Sequence, residues 1–187
     1  GLVLVSADDP SLHSSQNEQD NRLYARMSGL PMLEPATPQE ALEMTRAAFA
    51  LSERHHIPVI LRTTTRVNHT RGVVKVGEIQ GTHREGVFRK DPFNLVVVPM
   101  VGRKLHLELL RKIAELEQEA NTSPFNRRSG QGRWGIVTSG ISSAYVADSV
   151  RELGIADRVQ ILKMGMTHPF PRQLFAEFLT GVERVLV

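Results

Sequence analysis

The chain opens on an unbroken apolar run, Leu2 to Val5, whose length and β-branched content predict a buried parallel strand. Ser6, Asp8, Asp9 and Pro10 cannot extend it, so it ends near Asp8. Ser15 then stands three positions before Glu18, the spacing at which a hydroxyl and a carboxylate each satisfy a free backbone amide. A helix is therefore predicted over about residues 17–28, closed by Gly29 and Pro31. Thr37, Pro38 and Glu40 repeat the start signal, and the second helix runs to about His55, with Leu42, Thr45, Ala48, Phe49 and Ser52 at helical spacing. Ile57 to Leu61 predicts another buried strand, finished by Arg62, Thr63, Thr64, Thr65 and Arg66. Strand, helix, helix, strand makes residues 1–66 read as the later half of a parallel-sheet domain.

From Val67 to about Arg133 the pattern loosens, and Gly72, Gly77, Gly81 and Gly86 punctuate a linker. Within it, Leu95 to Val98 is apolar and stops at Pro99, after which Leu105, Leu109, Ile113 and Leu116 stripe a helix over about residues 103–120. Its exposed face pairs charges four apart, Lys104, Glu108 and Lys112, and Arg111 with Glu115. Clean alternation returns at Trp134: a strand at Gly135 to Ser139, a helix at Ser142 to Leu153, a strand at Val159 to Met164, a helix at Gln173 to Leu179 and a strand at Val182 to Val187. The fold class that follows is α/β. Two incomplete parallel-sheet, three-layer domains, residues 1–72 and 133–187, are joined by a long linker over 73–132 that holds one helix.

Composition narrows the function. Zero cysteines in 187 residues exclude disulfides, iron–sulfur clusters and thiolate zinc sites within this stretch, which fits a reducing cytoplasm. The net charge of +3 divides as −1 over residues 1–72, +4 over 73–133 and zero over 134–187, which is not a nucleic-acid footprint. No apolar run approaches the length of a membrane span. The chain starts and stops on strand-like segments and lacks an initiator methionine, so a piece of a longer polypeptide is expected.

Four strand ends carry polar clusters: Asp8 to Asn17, Arg62 to Arg66, Thr138 to Ser143 and Thr167 to Arg172. Ligand sites of open α/β sheets lie at such ends. Ser14, Ser15, Gln16, Asn17 and Gln19 crowd enough hydroxyls and amides to suggest a buried network facing substrate or a neighbouring subunit, against ordinary capping. Arg62, Thr64 and Arg66 could offer a guanidinium and hydroxyls to a carboxylate or phosphate, or simply finish a strand with paired arginines. Glu18 and Asp20 would put negative charge in the first helical turn, where a phosphate needs the opposite. TSGISS holds only one glycine after its strand, where a dinucleotide fingerprint needs three. His168 before Pro169 reads as a structural hydrogen-bonding group rather than a general base. No catalytic residue, cofactor ligand or metal ligand is assigned.

The blocks DDPSLHSSQNEQDNR, LPMLEPATPQEA, PVILRTTTRVNHTRG and GIVTSGISSAYV together resemble the α subunit of indolepyruvate:ferredoxin oxidoreductase, within the thiamine-diphosphate-dependent 2-oxoacid:ferredoxin oxidoreductases. The resemblance spans essentially the whole chain. It implies the end of a pyrimidine-binding domain followed by a truncated transketolase C-terminal-like domain. It also implies a full-length enzyme that converts aryl pyruvates with coenzyme A to aryl-acetyl-CoA, CO2 and reduced ferredoxin, with a smaller β subunit as partner. Thiamine diphosphate, Mg2+ and iron–sulfur clusters are implied for that enzyme, and their binding residues are expected outside this chain. The isolated fragment is then expected to be inactive and to bind none of them, its polar loops lining or supporting a site completed elsewhere. Two rivals stand beside this reading: a module that mainly builds subunit contacts in an oligomer, and the same region of a pyruvate or 2-oxoglutarate enzyme.

Overall fold

The computed structural model describes residues 1–13, 15–79, 81 and 86–187. Their elements are β1 (Val3–Asp8), α1 (Arg22–Ser28), β2 (Met32–Leu33), α2 (Pro38–His55), β3 (Val59–Thr64), α3 (Thr65–His69), α4 (Pro92–Leu95), α5 (Pro99–Asn121), β4 (Arg127–Gly130), β5 (Trp134–Ser139), α6 (Ser142–Glu152), β6 (Val159–Met164), β7 (Met166–His168), α7 (Arg172–Thr180) and β8 (Arg184–Leu186). The fold is α/β with two four-stranded sheets, ordered β1-β3-β2-β7 and β4-β6-β5-β8.

The sheets are mixed rather than purely parallel as expected. β1, β3 and β2 run parallel, but β7 joins β2 antiparallel, and β4 joins β6 antiparallel beside the parallel β6, β5 and β8. The strands that change the picture, β2, β4 and β7, have two to four residues, too few for an alternation to show in sequence. β7 has a further consequence: a segment from the C-terminal third completes the first sheet and ties the two sheets together.

Both faces of the first sheet are covered. Leu33, Val59 and Leu61 pack with Met44, Ala48 and Leu51 of α2 and with Leu116 and Ala120 of α5, while Met32 and Ile60 face Ala25 of α1 on the other side. The buried stripe of α2 is Met44, Ala48, Leu51 and Ser52, whereas Phe49, expected on that stripe, is exposed. The second sheet buries Val137, Leu162 and Met164 against Phe178 of α7.

The α2 start forms as expected. Thr37 Oγ1 accepts from Glu40 N at 3.2 Å, and the Glu40 carboxylate accepts from Ala36 N at 2.9 Å. The first helix does not. It begins at Arg22 after Asn21, with no side-chain cap, so Glu18 and Asp20 precede its first turn. Ser15 does not cap it, since the helix starts seven residues further on; the Ser15 hydroxyl donates to Asp9. Asn21 reaches back to the first strand, Nδ2 donating to Ser6 Oγ at 2.9 Å and to Ala7 O at 3.0 Å. Among the described residues no helix is long and apolar enough to cross a membrane.

Candidate functional site at the strand ends

Successive residues of a strand face opposite sides, and Asp8 and Asp9 at the end of β1 go separate ways. Asp8 is fully buried. Arg62, across the parallel pairing from Ser6, sends Nε and Nη2 to Asp8 Oδ2 at 2.8 and 2.6 Å, and Nη1 to Glu34 Oε2 at 2.7 Å. Glu34 follows β2 directly and is 1% exposed. Its other oxygen accepts from Thr167 Oγ1 of β7 at 2.8 Å, and Ser139 at the end of β5 lies 3.5 Å from Oε2. Asn21 N donates to Asp8 Oδ2 at 3.0 Å, which anchors the start of α1. All four strands of the first sheet and one of the second thus meet at a single buried guanidinium and two carboxylates. Arg62 alone can do this, because its planar fork presents donors to two acids at once.

The turn from β5 into α6 comes close to this cluster. Gly140 has φ +51, and a Cβ there would lie 3.3 Å from Glu34 Oε2. A glycine therefore meets both the left-handed backbone and the short approach. Asp8 Oδ1 and the hydroxyls of Thr63, Thr64 and Thr138 are buried without a partner among the described residues.

Asp9 instead faces the surface loop. It accepts from the hydroxyls of Ser15 and Thr65, and those two donors, Ser15 foremost, hold its carboxyl below the usual aspartate range. Between them the loop passes through left-handed conformations at Ser11, Leu12 and His13, with φ 62, 67 and 44. Such positions cost about 1–2 kcal/mol each for residues with a Cβ.

The expected site residues separate accordingly. Ser14 lies outside the described residues. Ser15 is half-buried on Asp9, Gln16 and Asn17 are exposed, and Gln19 approaches Asn17 with Nε2 3.5 Å from Oδ1. Among the described residues, Gln16 and Asn17 of this loop lie at the surface while Ser15 and Gln19 are half-buried. Arg62 is buried, with Nε and Nη2 donating to Asp8 and Nη1 to Glu34. Thr64 is buried in β3 itself, and Arg66 is exposed on α3. Glu34 and Asn21 were not singled out from sequence. The readable hint for Glu34 was an acid set directly after an apolar pair and bracketed by Pro31 and Pro35.

Two clefts of about 590 and 510 Å3 flank this cluster and share Arg22, Thr167 and Phe170. The larger is apolar, with Ile136, Val137, Met164 and Phe175; the smaller adds Arg26, His168 and Arg172. His168 donates from Nδ1 to Leu30 O at 2.9 Å, and burial holds its pKa down, so the ring is neutral and structural. Arg22 and Asp20 hold each other bidentately, which keeps the Asp20 carboxyl low.

Thiamine diphosphate needs a carboxylate free to engage its aminopyrimidine and oxygen donors for a diphosphate-bound metal. Asp8 and Glu34 are both committed to Arg62, and among the described residues no group of three or more His, Cys, Asp or Glu side chains is arranged to hold a metal ion. The donor set present does not fit that cofactor.

The family described as "Pyruvate flavodoxin/ferredoxin oxidoreductase, thiamine diP-bdg" matches residues 8–95. A solved 2-oxoglutarate:ferredoxin oxidoreductase from Magnetococcus marinus superposes with a TM-score of 0.63 over 98% of this chain and 40% of its own, at 13% identity, which speaks to the fold. Residues 8–95 are thus similar to a thiamine-diphosphate-binding part of the pyruvate flavodoxin/ferredoxin oxidoreductases, and the fold of the chain is similar to that of a 2-oxoglutarate:ferredoxin oxidoreductase. The indolepyruvate oxidoreductase subunit IorA of Methanothermobacter marburgensis is 50% identical over 190 residues, and that of Thermococcus kodakarensis 46% over 194. Each match covers all of this chain and 30% of the relative, so the chain corresponds to less than a third of an oxidoreductase subunit.

Proposed function

We propose that this chain is an internal part of the larger subunit of an indolepyruvate:ferredoxin oxidoreductase. That enzyme oxidatively decarboxylates aryl pyruvates with coenzyme A and ferredoxin and assembles with a smaller second subunit. In this reading residues 1–72 end a pyrimidine-binding domain, 73–132 form a linker and 133–187 begin a transketolase C-terminal-like domain. Thiamine diphosphate, Mg2+ and iron–sulfur clusters are held by other parts of the polypeptide. The observation that carries the reading is the 50% identity along the whole chain to a protein named for indolepyruvate. This stretch contributes placement: the Asp8, Arg62 and Glu34 cluster fixes the strand ends from which Ser15, Gln16, Asn17, Gln19 and Arg66 reach the surface. Ser14, Thr64 and Arg62 belong to the same strand-end segments and stay in the proposal as supporting positions.

The test uses the full-length subunit co-expressed with its second subunit, following ferredoxin reduction with coenzyme A and indolepyruvate, pyruvate or 2-oxoglutarate. Preference for indolepyruvate by kcat/KM is expected; preference for either of the others transfers the chain to a sister enzyme. A second reading, a subunit-contact module, is favoured by one observation: β1 is a sheet edge, and Leu2 just before it and Leu4 and Val5 on it are 52%, 42% and 70% exposed. Gln16→Ala separates the two, since lost turnover with intact assembly supports the site reading and lost assembly supports the module.

A further inference from the structure

The second sheet meets the first where β6 passes into β7 through a single residue, Gly165, and β7 then pairs antiparallel with β2. Segments on which domains swing are open to solvent and crossed by few contacts. This crossing is the reverse. Close approach, and not a left-handed turn, calls for the glycine: a Cβ there would lie 2.7 Å from both Phe125 O and Met44 Cε. Its carbonyl accepts from Glu34 N at 2.7 Å. The Asn126 carboxamide, buried beside it, is fully used. Oδ1 accepts from Gly165 N and Met166 N, both at 2.9 Å, and Nδ2 donates to Ala120 O at 2.8 Å and Met166 O at 3.3 Å. One side chain thereby fastens the end of α5 to the passage from one sheet into the other.

Contacts on either side of the crossing act in the same direction. Lys163 of β6 pairs with Glu40 in the first turn of α2, both side chains largely buried. Thr167 and Ser139 bring β7 and β5 to the Glu34 carboxylate. Leu174 N of α7 donates to Asn121 Oδ1 at 3.1 Å, and Met166 packs among Leu33, Met44, Leu116 and Ala120. Parting the sheets would leave the buried donors and acceptors around Asn126 and Gly165 without their partners. The crossing therefore opens with the cores and not ahead of them.

We propose that the two sheets form one rigid body that unfolds as a unit, with the Asn126 carboxamide as its fastener. The polar strand ends at Asp8, Thr64 and Ser139 are then held at fixed spacing, so whatever engages the ends of both sheets meets a preformed surface and not a closing cleft. This holds whichever 2-oxoacid the full-length enzyme takes, and the test needs no substrate.

The experiment is native-state hydrogen exchange on the full-length subunit at graded low urea, comparing backbone amides of β3 in the first sheet with those of β6 in the second. In the wild type both sets should converge on one opening transition with one urea dependence. Separate transitions, β6 opening at lower urea than β3, overturn the proposal. Leu162→Ala removes a side chain from the core of the second sheet, which is distinct from that of the first. It should speed exchange of β3 as much as that of β6, by about thirtyfold or more. An acceleration confined to the second sheet overturns the proposal, and if this variant does not fold the wild-type curves decide alone. Asn126→Ala should separate the two transitions, with β6 opening first; transitions that still coincide overturn the role of Asn126. Should Asn126→Ala not fold, Asn126→Asp gives the same reading, since it keeps the accepted bonds and loses both donated ones.

Discussion

Asp8 and Asp9 are neighbours in sequence and differ in nearly everything else. Asp8 is buried under two arms of Arg62; Asp9 is half-buried under two hydroxyls of the loop side. One residue of strand periodicity sends one carboxylate into the sheet interface and the other into the loop. Burial raises what is at stake without making the contact net stabilising. A buried ion pair roughly offsets its own desolvation, but leaving one of its charges alone is expensive. The comparison therefore predicts steep losses at the Asp8 cluster and shallow, acid-limited ones at Asp9.

The largest effect is expected for Arg62→Met. It strands two carboxylates that are at most 1% exposed and should cost about 3–5 kcal/mol, read from the urea midpoint. Arg62→Lys keeps the charge without the fork, so it can serve one acid well but not both, and should recover only part of the loss. A wild-type midpoint for Arg62→Met would mean the cluster is not buried as described. Next comes Gly140→Ala. The left-handed φ of +51 costs a side chain about 1 kcal/mol, and the new Cβ crowds Glu34 Oε2, so the thermal midpoint should fall by a few degrees.

How far these residues could be read in advance follows from distance along the chain. The Thr37, Pro38 and Glu40 start was legible because its hydrogen bonds span three and four residues. The strand end at Asp8 was legible because polar residues and Pro10 interrupt an apolar run. The Arg62 cluster was not: its contacts span 54 and 28 residues, and sequence shows each partner as an ordinary charge in a polar loop. The same holds for β7, which joins the first sheet across more than a hundred residues. Ser15 misled for a related reason. Its spacing to Glu18 is local, but the helix start is anchored further on, where Asn21 N donates to Asp8 across thirteen residues.

A smaller effect separates by pH. Burial holds the His168 pKa below its ordinary 6.5, so the folded chain prefers the neutral ring. The stability it contributes is present above pH 6.5 and falls away as pH drops from there through the folded value. The difference in denaturation midpoint between wild type and His168→Gln should accordingly be larger at pH 8 than at pH 5. An equal difference at both values would show that the ring is not held neutral.

The smallest effect belongs to Asp9→Asn. The asparagine carbonyl can still accept from Ser15 or Thr65, and the group is only half-buried, so the denaturation midpoint at pH 7 should barely move. What changes is the acid limb. A carboxyl held below its ordinary 3.8 stabilises the fold above that pH and loses the contribution as pH falls through its folded value, a window that the asparagine variant lacks. Carboxyl titration by NMR checks the cause directly: Ser15→Ala should raise the Asp9 midpoint more than Thr65→Ala, because the Ser15 hydroxyl is the stronger of its two donors. If Asp9→Asn at pH 7 cost as much as Arg62→Met, the two carboxylates would share one buried environment. The division of labour between a fixed cluster beneath the strand ends and an adaptable loop above them would then collapse.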